Sequence, residues 1–307
     1  MRDILYCLLV CGLTTAAQAR LSVVTTTTDL AALAVEIGGS DLSVESICRG
    51  TQDPHFIEAK PSFAIKVNHA DLVVSIGLGL EIGWLPSILD LARNPKVIRG
   101  GPGFLEVGPL IDVLEVPKGT VTRADGDVHP EGNPHITLDP IRAGLIALKM
   151  AQRLGELDPA HRGVFEERAK ALQSRFADKT KGWQARIARS HVTQIITHHK
   201  TLSYFFDRFH IENPAILEPK PGIPPTTKHT LEVISLLKDR KVPLILIENF
   251  FDIAVAKRVA EEAPTVRILS VPVSVGGEPA VKSLDDLYEF LVSAIEQPGT
   301  KSSEPKS

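Results

Sequence analysis

Usable cysteine, an excess of one charge and any long apolar run are all missing from this chain, and each absence closes off a class. Of the three cysteines, Cys7 and Cys11 sit in an N-terminal apolar stretch, which leaves Cys48 alone in the body of the chain. A disulfide framework within that body is therefore excluded. Cys48 ends the apolar alternation from Leu42 to Ile47 and reads as a small buried hydrophobe. With 34 basic against 37 acidic side chains there is no electrostatic footprint for nucleic acid or an anionic membrane. No segment approaches the roughly 20 consecutive apolar residues that a membrane-spanning helix needs. Two catalytic or cofactor signatures are also missing. Gly77-Leu78-Gly79 follows an expected strand, but the next glycine, Gly83, comes one residue too late for a dinucleotide-binding loop, so these are tight-turn glycines. No His-Glu-x-x-His helix appears either.

What is present is a chain of 307 residues with ordinary globular composition, 43% apolar and 23% charged, long enough for two lobes with a large core. Residues 1–19 read as a signal peptide: Arg2, an apolar stretch from Ile4 to Leu13, and Ala17-Gln18-Ala19 as a small-x-small cleavage site before Arg20. The expected location is periplasmic or otherwise extracytoplasmic. Leu8-Leu9-Val10-Cys11 is close to a lipoprotein cleavage box, but Val10 stands where a small residue is preferred, so soluble export is favoured over lipid anchoring.

From Leu21 onward, strand-like and helix-like segments alternate. Strands are expected at Leu21–Thr27, Leu42–Cys48 and Asp71–Ile76, with helices from Asp29 to Ile37 and from Pro61 to His69. The pattern dissolves between Ile111 and Asn133 into Pro, Gly, Asp and Thr, an exposed acidic loop in which His129 is incidental. Asp139-Pro140 and Asp158-Pro159 each pair an N-capping carboxylate with a proline at the first helical position. The second of these helices, with apolar residues at Val164, Ala169, Leu172, Phe176, Trp183 and Ile187, runs to about Arg189 and is long enough to span two lobes. Alternation then resumes with a strand at Val192–Thr197, helices at Thr201–Phe209 and Thr227–Arg240, and a strand at Pro243–Glu248. The expected fold is α/β: two lobes, each a mainly parallel sheet flanked by helices, joined by a long backbone helix. The expected divisions are 20–157 for the first lobe, 158–189 for the linking helix, 190–296 for the second lobe and 297–307 for a flexible tail.

Three histidine contexts carry the chemistry: Asp53-Pro54-His55, Asn133-Pro134-His135, and the Ile195-Ile196-Thr197-His198-His199 run. Proline stiffens the first two turns, and the third lies just past the carboxyl end of a strand, where α/β lobes present side chains to a cleft. Neutral imidazole suits zinc and its first-row neighbours, and ligands so far apart in sequence need a whole fold to converge. The remaining histidines, His69, His161, His191, His210 and His229, read as helix-face, helix-end or loop residues, with His229 solvated.

Taken in order, the segments Asp53-Pro54-His55 with Pro61-Ser62, Gly77-Leu78-Gly79-Leu80-Glu81 with Trp84-Leu85, Asn133-Pro134-His135 with Leu138-Asp139-Pro140, and His199 with Ser203-Tyr204-Phe205 resemble the cluster A-I solute-binding proteins of zinc and manganese ABC transporters. The resemblance spans nearly the whole exported chain. It implies a monomeric, non-enzymatic protein that holds a divalent metal ion between its lobes. The ion would be handed to a membrane permease driven by a cytoplasmic ATPase. It also implies His55, His135 and His199 as ligands, with His198 supporting, and Tyr204 and Phe205 in the core behind. Two departures matter. The family commonly places a carboxylate ligand before a Ser/Thr-Tyr pair near the C-terminus, but here Lys282 stands in that place. Glu248, which matches a glutamate of the family's pattern, is then the expected fourth ligand or a support behind one, with Asp285, Asp286, Glu278 or a water as competitors for the ion. A long His-rich loop, frequent in zinc importers of this family, is also missing. Nitrogen donors at three positions favour Zn2+, with Mn2+ the alternative. A secreted zinc-dependent hydrolase and a metal-stabilised scaffold are the competing classes. The first needs an exchangeable water on the ion, and the second would unfold when the metal is removed.

Overall fold

The computed structural model describes residues 20–296, apart from 123, 124 and 127. The expected signal peptide and the expected tail lie outside the described residues.

Four parallel strands form the first sheet: β1 Leu21–Thr25, β2 Leu42–Ser46, β3 Leu72–Ser75 and β4 Phe104–Glu106, in the order β2-β1-β3-β4. Leu21 pairs with Leu42, Val23 with Leu72, and Val73 with Phe104. Every residue of β3 is buried, as expected of a central parallel strand covered on both faces. Helices α1 (Thr28–Gly38), α2 (Pro61–Asn68) and α3 (Leu85–Ala92) connect these strands. Thr27 caps α1 by accepting the Leu30 N–H, and Pro61 stands in the first turn of α2.

After α4 (Pro140–Leu157) comes α5, which runs from Arg162 to Ser190 without a break. At 1.5 Å per residue its 29 residues measure about 43 Å. The second sheet holds β5 (Ile195–Thr197), β6 (Leu244–Glu248) and β7 (Arg267–Val271), again parallel and in sequence order. Helices α6 (Ser203–Phe209), α7 (Thr227–Arg240), α8 (Ala254–Glu261) and α9 (Leu284–Glu296) complete the second lobe.

The start of α5 corrects the expectation at Asp158-Pro159. Asp158 is instead the C-cap of α4, and its carboxylate bonds His161 Nδ1 at 2.6 Å. The apolar stripe of α5 is also shifted: Phe165, Ala169, Leu172, Phe176, Trp183 and Ile187 are buried, whereas Val164 faces out. That stripe packs on α1 and α4 on one side and on α9 on the other. Arg168 reaches back to the Ile37 and Gly38 carbonyls, while Arg175 bonds Asp285 and Trp183 bonds Glu289. One helix is thus anchored to both lobes, and a single apolar core runs from Val23 and Leu72 through Phe165 and Phe176 to Leu246 and Leu287. Each lobe keeps a second, smaller core on its outer face, around Val73 and Trp84 in one and Ile245 and Val259 in the other.

Hydrogen bonds cross between the lobes at several places, two of them around Asp29 and Thr137. The Asp29 carboxylate accepts the Thr137 hydroxyl at 2.9 Å and the Val275 N–H at 2.8 Å. Tyr288 of α9 donates its hydroxyl to the Thr137 carbonyl at 2.6 Å. Burial pushes the Asp29 carboxyl up to about 6 against the pull of these two donors.

Candidate metal centre

Both proline turns of the first lobe share a feature that their order of residues already signals. In Asp53-Pro54-His55 the Asp53 Oδ1 accepts the His55 N–H at 3.0 Å, and in Asn133-Pro134-His135 the Asn133 Oδ1 accepts the His135 N–H at 2.9 Å. These are Asx turns, in which a side-chain oxygen bonds the backbone two residues on and proline fixes the residue between. Each turn is then fastened to the core. Trp84 Nε1 donates to the Pro54 carbonyl at 2.9 Å, and the buried Tyr204 hydroxyl donates to the Asn133 carbonyl at 2.7 Å. Tyr204 and Phe205 are fully buried. Asn133 also reaches the second lobe, donating through Nδ2 to the Lys200 carbonyl.

The His55 side chain is oriented by Asp53, whose Oδ1 lies 2.7 Å from His55 Nδ1. Burial works to raise the Asp53 pKa, but its bonds to His55 hold it below the ordinary value. In the second lobe, His199 stands two residues past the end of β5, where the chain leaves the sheet. His199 Nδ1 lies 2.8 Å from Glu218 Oε2, and Gly222 N–H donates to the same oxygen. Burial alone would lower the His199 pKa; the hydrogen bond and charge of Glu218 outweigh it, and the net shift is upward. His198 stacks on Phe251, with ring centroids 4.2 Å apart.

The three histidines meet. One ligand atom from each of His55, His135 and His199 lies within 4.8 Å of the others, and this is the one such cluster of three or more ligating residues among the described residues. Ring centroids are 5.2 Å apart for His55 and His135, 5.4 Å for His55 and His199, and 5.7 Å for His135 and His199. His135 Nε2 is buried and finds no hydrogen-bond partner among the described residues. Burial drives the His135 pKa well below its ordinary value, so the ring is neutral and offers a lone pair.

Glu248 is not a member of this cluster. It ends β6, fully buried, with Oε1 accepting the His199 N–H at 3.3 Å and Oε2 unpartnered among the described residues. Burial pushes its carboxyl up to about 7. The competing carboxylates are engaged or remote: Asp285 pairs with Arg175 and Lys179, Asp286 accepts the Lys282 and Ser283 N–H groups at the start of α9, and Glu278 is exposed.

Two residues escaped the sequence reading. Glu218 gave no signal, because its partner is brought to it by the fold across a proline-containing loop. His129 was expected to be incidental on a solvated loop, yet its Nε2 lies 3.1 Å from His55 Nε2 and the two rings stack. Burial, with neighbouring His55 and His199, pushes the His129 pKa down to about 3. The solvated-loop expectation fails because the loop folds back over the Gly77–Gly79 turn. Gly79 there takes a φ of +82°, and a side chain on it would crowd the His129 ring. His229, expected to be solvated, bonds the Ile216 carbonyl at 2.9 Å.

The family model described as ZnuA, zinc-uptake complex component A periplasmic, matches residues 23–297. The chain belongs to the ZnuA family. Among curated proteins, this ZnuA-family chain is 23% identical over 261 residues to the zinc-binding lipoprotein AdcA of Streptococcus pneumoniae, covering 83% of itself but 50% of AdcA. It thus spans about half the length of that relative. It is 24% identical over 254 residues to the manganese ABC transporter substrate-binding lipoprotein ScaA of Streptococcus gordonii, covering 81% of itself and 78% of ScaA. Among solved structures it matches ZnuA with a TM-score of 0.75 at 20% identity, covering 91% of this chain and 97% of that one. It matches the laminin-binding adhesin Lmb of Streptococcus agalactiae with a TM-score of 0.76 at 22% identity, covering 90% and 98%. These likenesses establish the two-lobed α/β fold for the ZnuA-family chain described here.

Proposed function

We propose that this protein is an extracytoplasmic metal-binding component of an ABC import system. It captures a divalent transition metal between lobes formed by residues 20–157 and 190–296 and delivers it to a membrane permease. Its task is binding and hand-over rather than catalysis. The observation that carries the reading is the convergence of His55, His135 and His199, drawn from both lobes, to within 4.8 Å. Family membership and the names of the zinc- and manganese-binding relatives support it.

Zinc is the proposed cargo, because three imidazole nitrogens are borderline donors whereas manganese prefers harder oxygen. Glu248 is proposed to act behind His199, holding its main chain, rather than on the ion. A cavity of about 90 Å³ is bounded by His129, His135 and His199. That space suits an ion with little water, while His55 and His129 also line a larger cavity of about 840 Å³. Among the described residues no helix is long and apolar enough to cross a membrane.

The test is metal analysis of the purified protein, followed by competition between zinc and manganese. One equivalent of bound metal with zinc preferred supports the reading. Turnover of ester or peptide substrates with a weakly held ion would replace it with the hydrolase.

A further inference from the structure

Three imidazoles leave a tetrahedral ion one donor short, and the loop residue His129, outside the three-residue cluster as Glu248 is, turns its Nε2 to within 3.1 Å of His55 Nε2. We propose that His129 is the fourth protein donor, and that the all-imidazole shell it completes sets the preference for zinc over manganese. The inference rests on His55, His135 and His199 being ligands, as argued above.

Proton placement makes the first argument. The Asp53 carboxylate only accepts, so the hydrogen bond at His55 Nδ1 puts the ring proton there and leaves Nε2 with its lone pair. The His129 ring turns Nε2 to His55 and lays Nδ1 against the Gly79 turn. The two Nε2 atoms stand 3.1 Å apart, close enough for one proton or one cation to be shared between them. With both rings neutral and their protons on Nδ1, a shared cation would take one lone pair from each. For Zn–N bonds of about 2.0–2.1 Å, the edge of a tetrahedron is about 3.3–3.4 Å, close to the separation found.

Position makes the second argument. His129 lines the same cavity as His135 and His199, the cavity at which the buried His135 ring lacks a partner. The expected C-terminal acid is replaced by Lys282, which is exposed and whose N–H is bonded to Asp286. Loading the site would draw the three clustered nitrogens inward by up to about 1.5 Å, from 4.8 Å to the tetrahedral edge. His129 follows through its contact with His55. Four nitrogens then surround the ion, a shell that suits zinc and offers manganese none of the oxygens it prefers.

The test titrates the purified protein and its His129→Ala, His129→Asp and His135→Ala variants with zinc and with manganese against a chelator. Cobalt(II) absorption reports the coordination shell, and circular dichroism checks folding. His129→Ala should bind zinc about 100-fold more weakly and manganese within about threefold of the parent, with an altered cobalt spectrum. His129→Asp should regain tight binding and move the preference toward manganese. Zinc affinity within twofold of the parent in His129→Ala, with an unchanged cobalt spectrum, overturns the fourth-donor assignment while His135→Ala still loses both metals. Parental affinity in His135→Ala would instead bring down the three-histidine site beneath it.

Discussion

His55 and His135 in the first lobe leave Asx-Pro-His turns nailed to the core by Trp84 and Tyr204, whereas His199 in the second lobe leaves a strand end and is gripped by Glu218. The first lobe fixes its imidazoles by backbone turns, with Asp53 also orienting His55; the second relies on the Glu218 carboxylate. Their protonation differs accordingly. His135 is held neutral by burial, while His199 is pulled toward its charged form by a buried carboxylate. On the proposed role, an incoming cation meets a ready lone pair at His135 and competes with a proton at His199. The Glu218 carboxylate that raises this proton barrier also makes the His199 ring a stronger donor once the proton has gone.

Removing a ligand from the rigid side should have the largest effect. His135→Ala is expected to lose about 10²–10³-fold in zinc affinity, roughly one ligand's share of the binding energy of a four-ligand site, while remaining folded. Calorimetric titration with a circular-dichroism control measures it, and a loss under tenfold would mean that His135 is not a ligand. On the charged side, Glu218→Gln keeps the shape and removes the charge. Zinc affinity should fall by about 10–100-fold, the usual cost of losing a carboxylate behind a metal-bound imidazole. If Glu218→Gln binds as tightly as the parent, the contrast between the lobes is only geometric.

A pH series separates the same two devices. Because the His199 pKa lies above the ordinary 6.5, proton competition should begin above pH 6.5 and weaken zinc binding by up to about tenfold per unit as pH falls. In the metal-free protein the sign is reversed. The His199–Glu218 pair contributes stability that is fully present below the unfolded value near 6.5 and is lost as pH rises through the higher folded value. Glu218→Gln should move the onset of zinc release to lower pH, and an unmoved onset would assign the proton to another group. The smallest expected effect is at the inter-lobe tie. Asp29→Ala leaves the Val275 N–H and Thr137 hydroxyl without their acceptor and should cost about 1–3 kcal/mol in denaturant unfolding, whereas Asp29→Asn, which keeps an acceptor for Val275, should cost less.

The frame of this molecule could be read from its residues because alternating apolar segments and capping signals are local. Strands around Val23, Val73 and Ile245, and the helix Thr227–Arg240, follow from patterns of a few residues. Other elements had no such pattern. β4, at three residues, is too short to show alternation, and α3 opens at Leu85-Pro86 directly after a residue without a side-chain cap. The start of α5 was misplaced because Asp-Pro also suits the C-terminal turn of the preceding helix. At the site, His55 and His135 were visible in their proline turns, while His199 was set apart from His198 by its offset to Tyr204-Phe205 in the family resemblance. The contacts of Glu218 and His129 were not, since both depend on loops whose path is set by distant packing. The repeated Asx-Pro-His triplet was a readable sign of two matching turns and passed unnoticed beyond its proline.

Thr137 lies two residues from His135 and is held at both ends of its polarity: its hydroxyl by Asp29 next to the first sheet, its carbonyl by Tyr288 on the last helix. Tilting one lobe against the other must snap one of these bonds or drag the turn that carries the imidazole. Inter-lobe torque is thereby geared directly to the position of a single nitrogen atom.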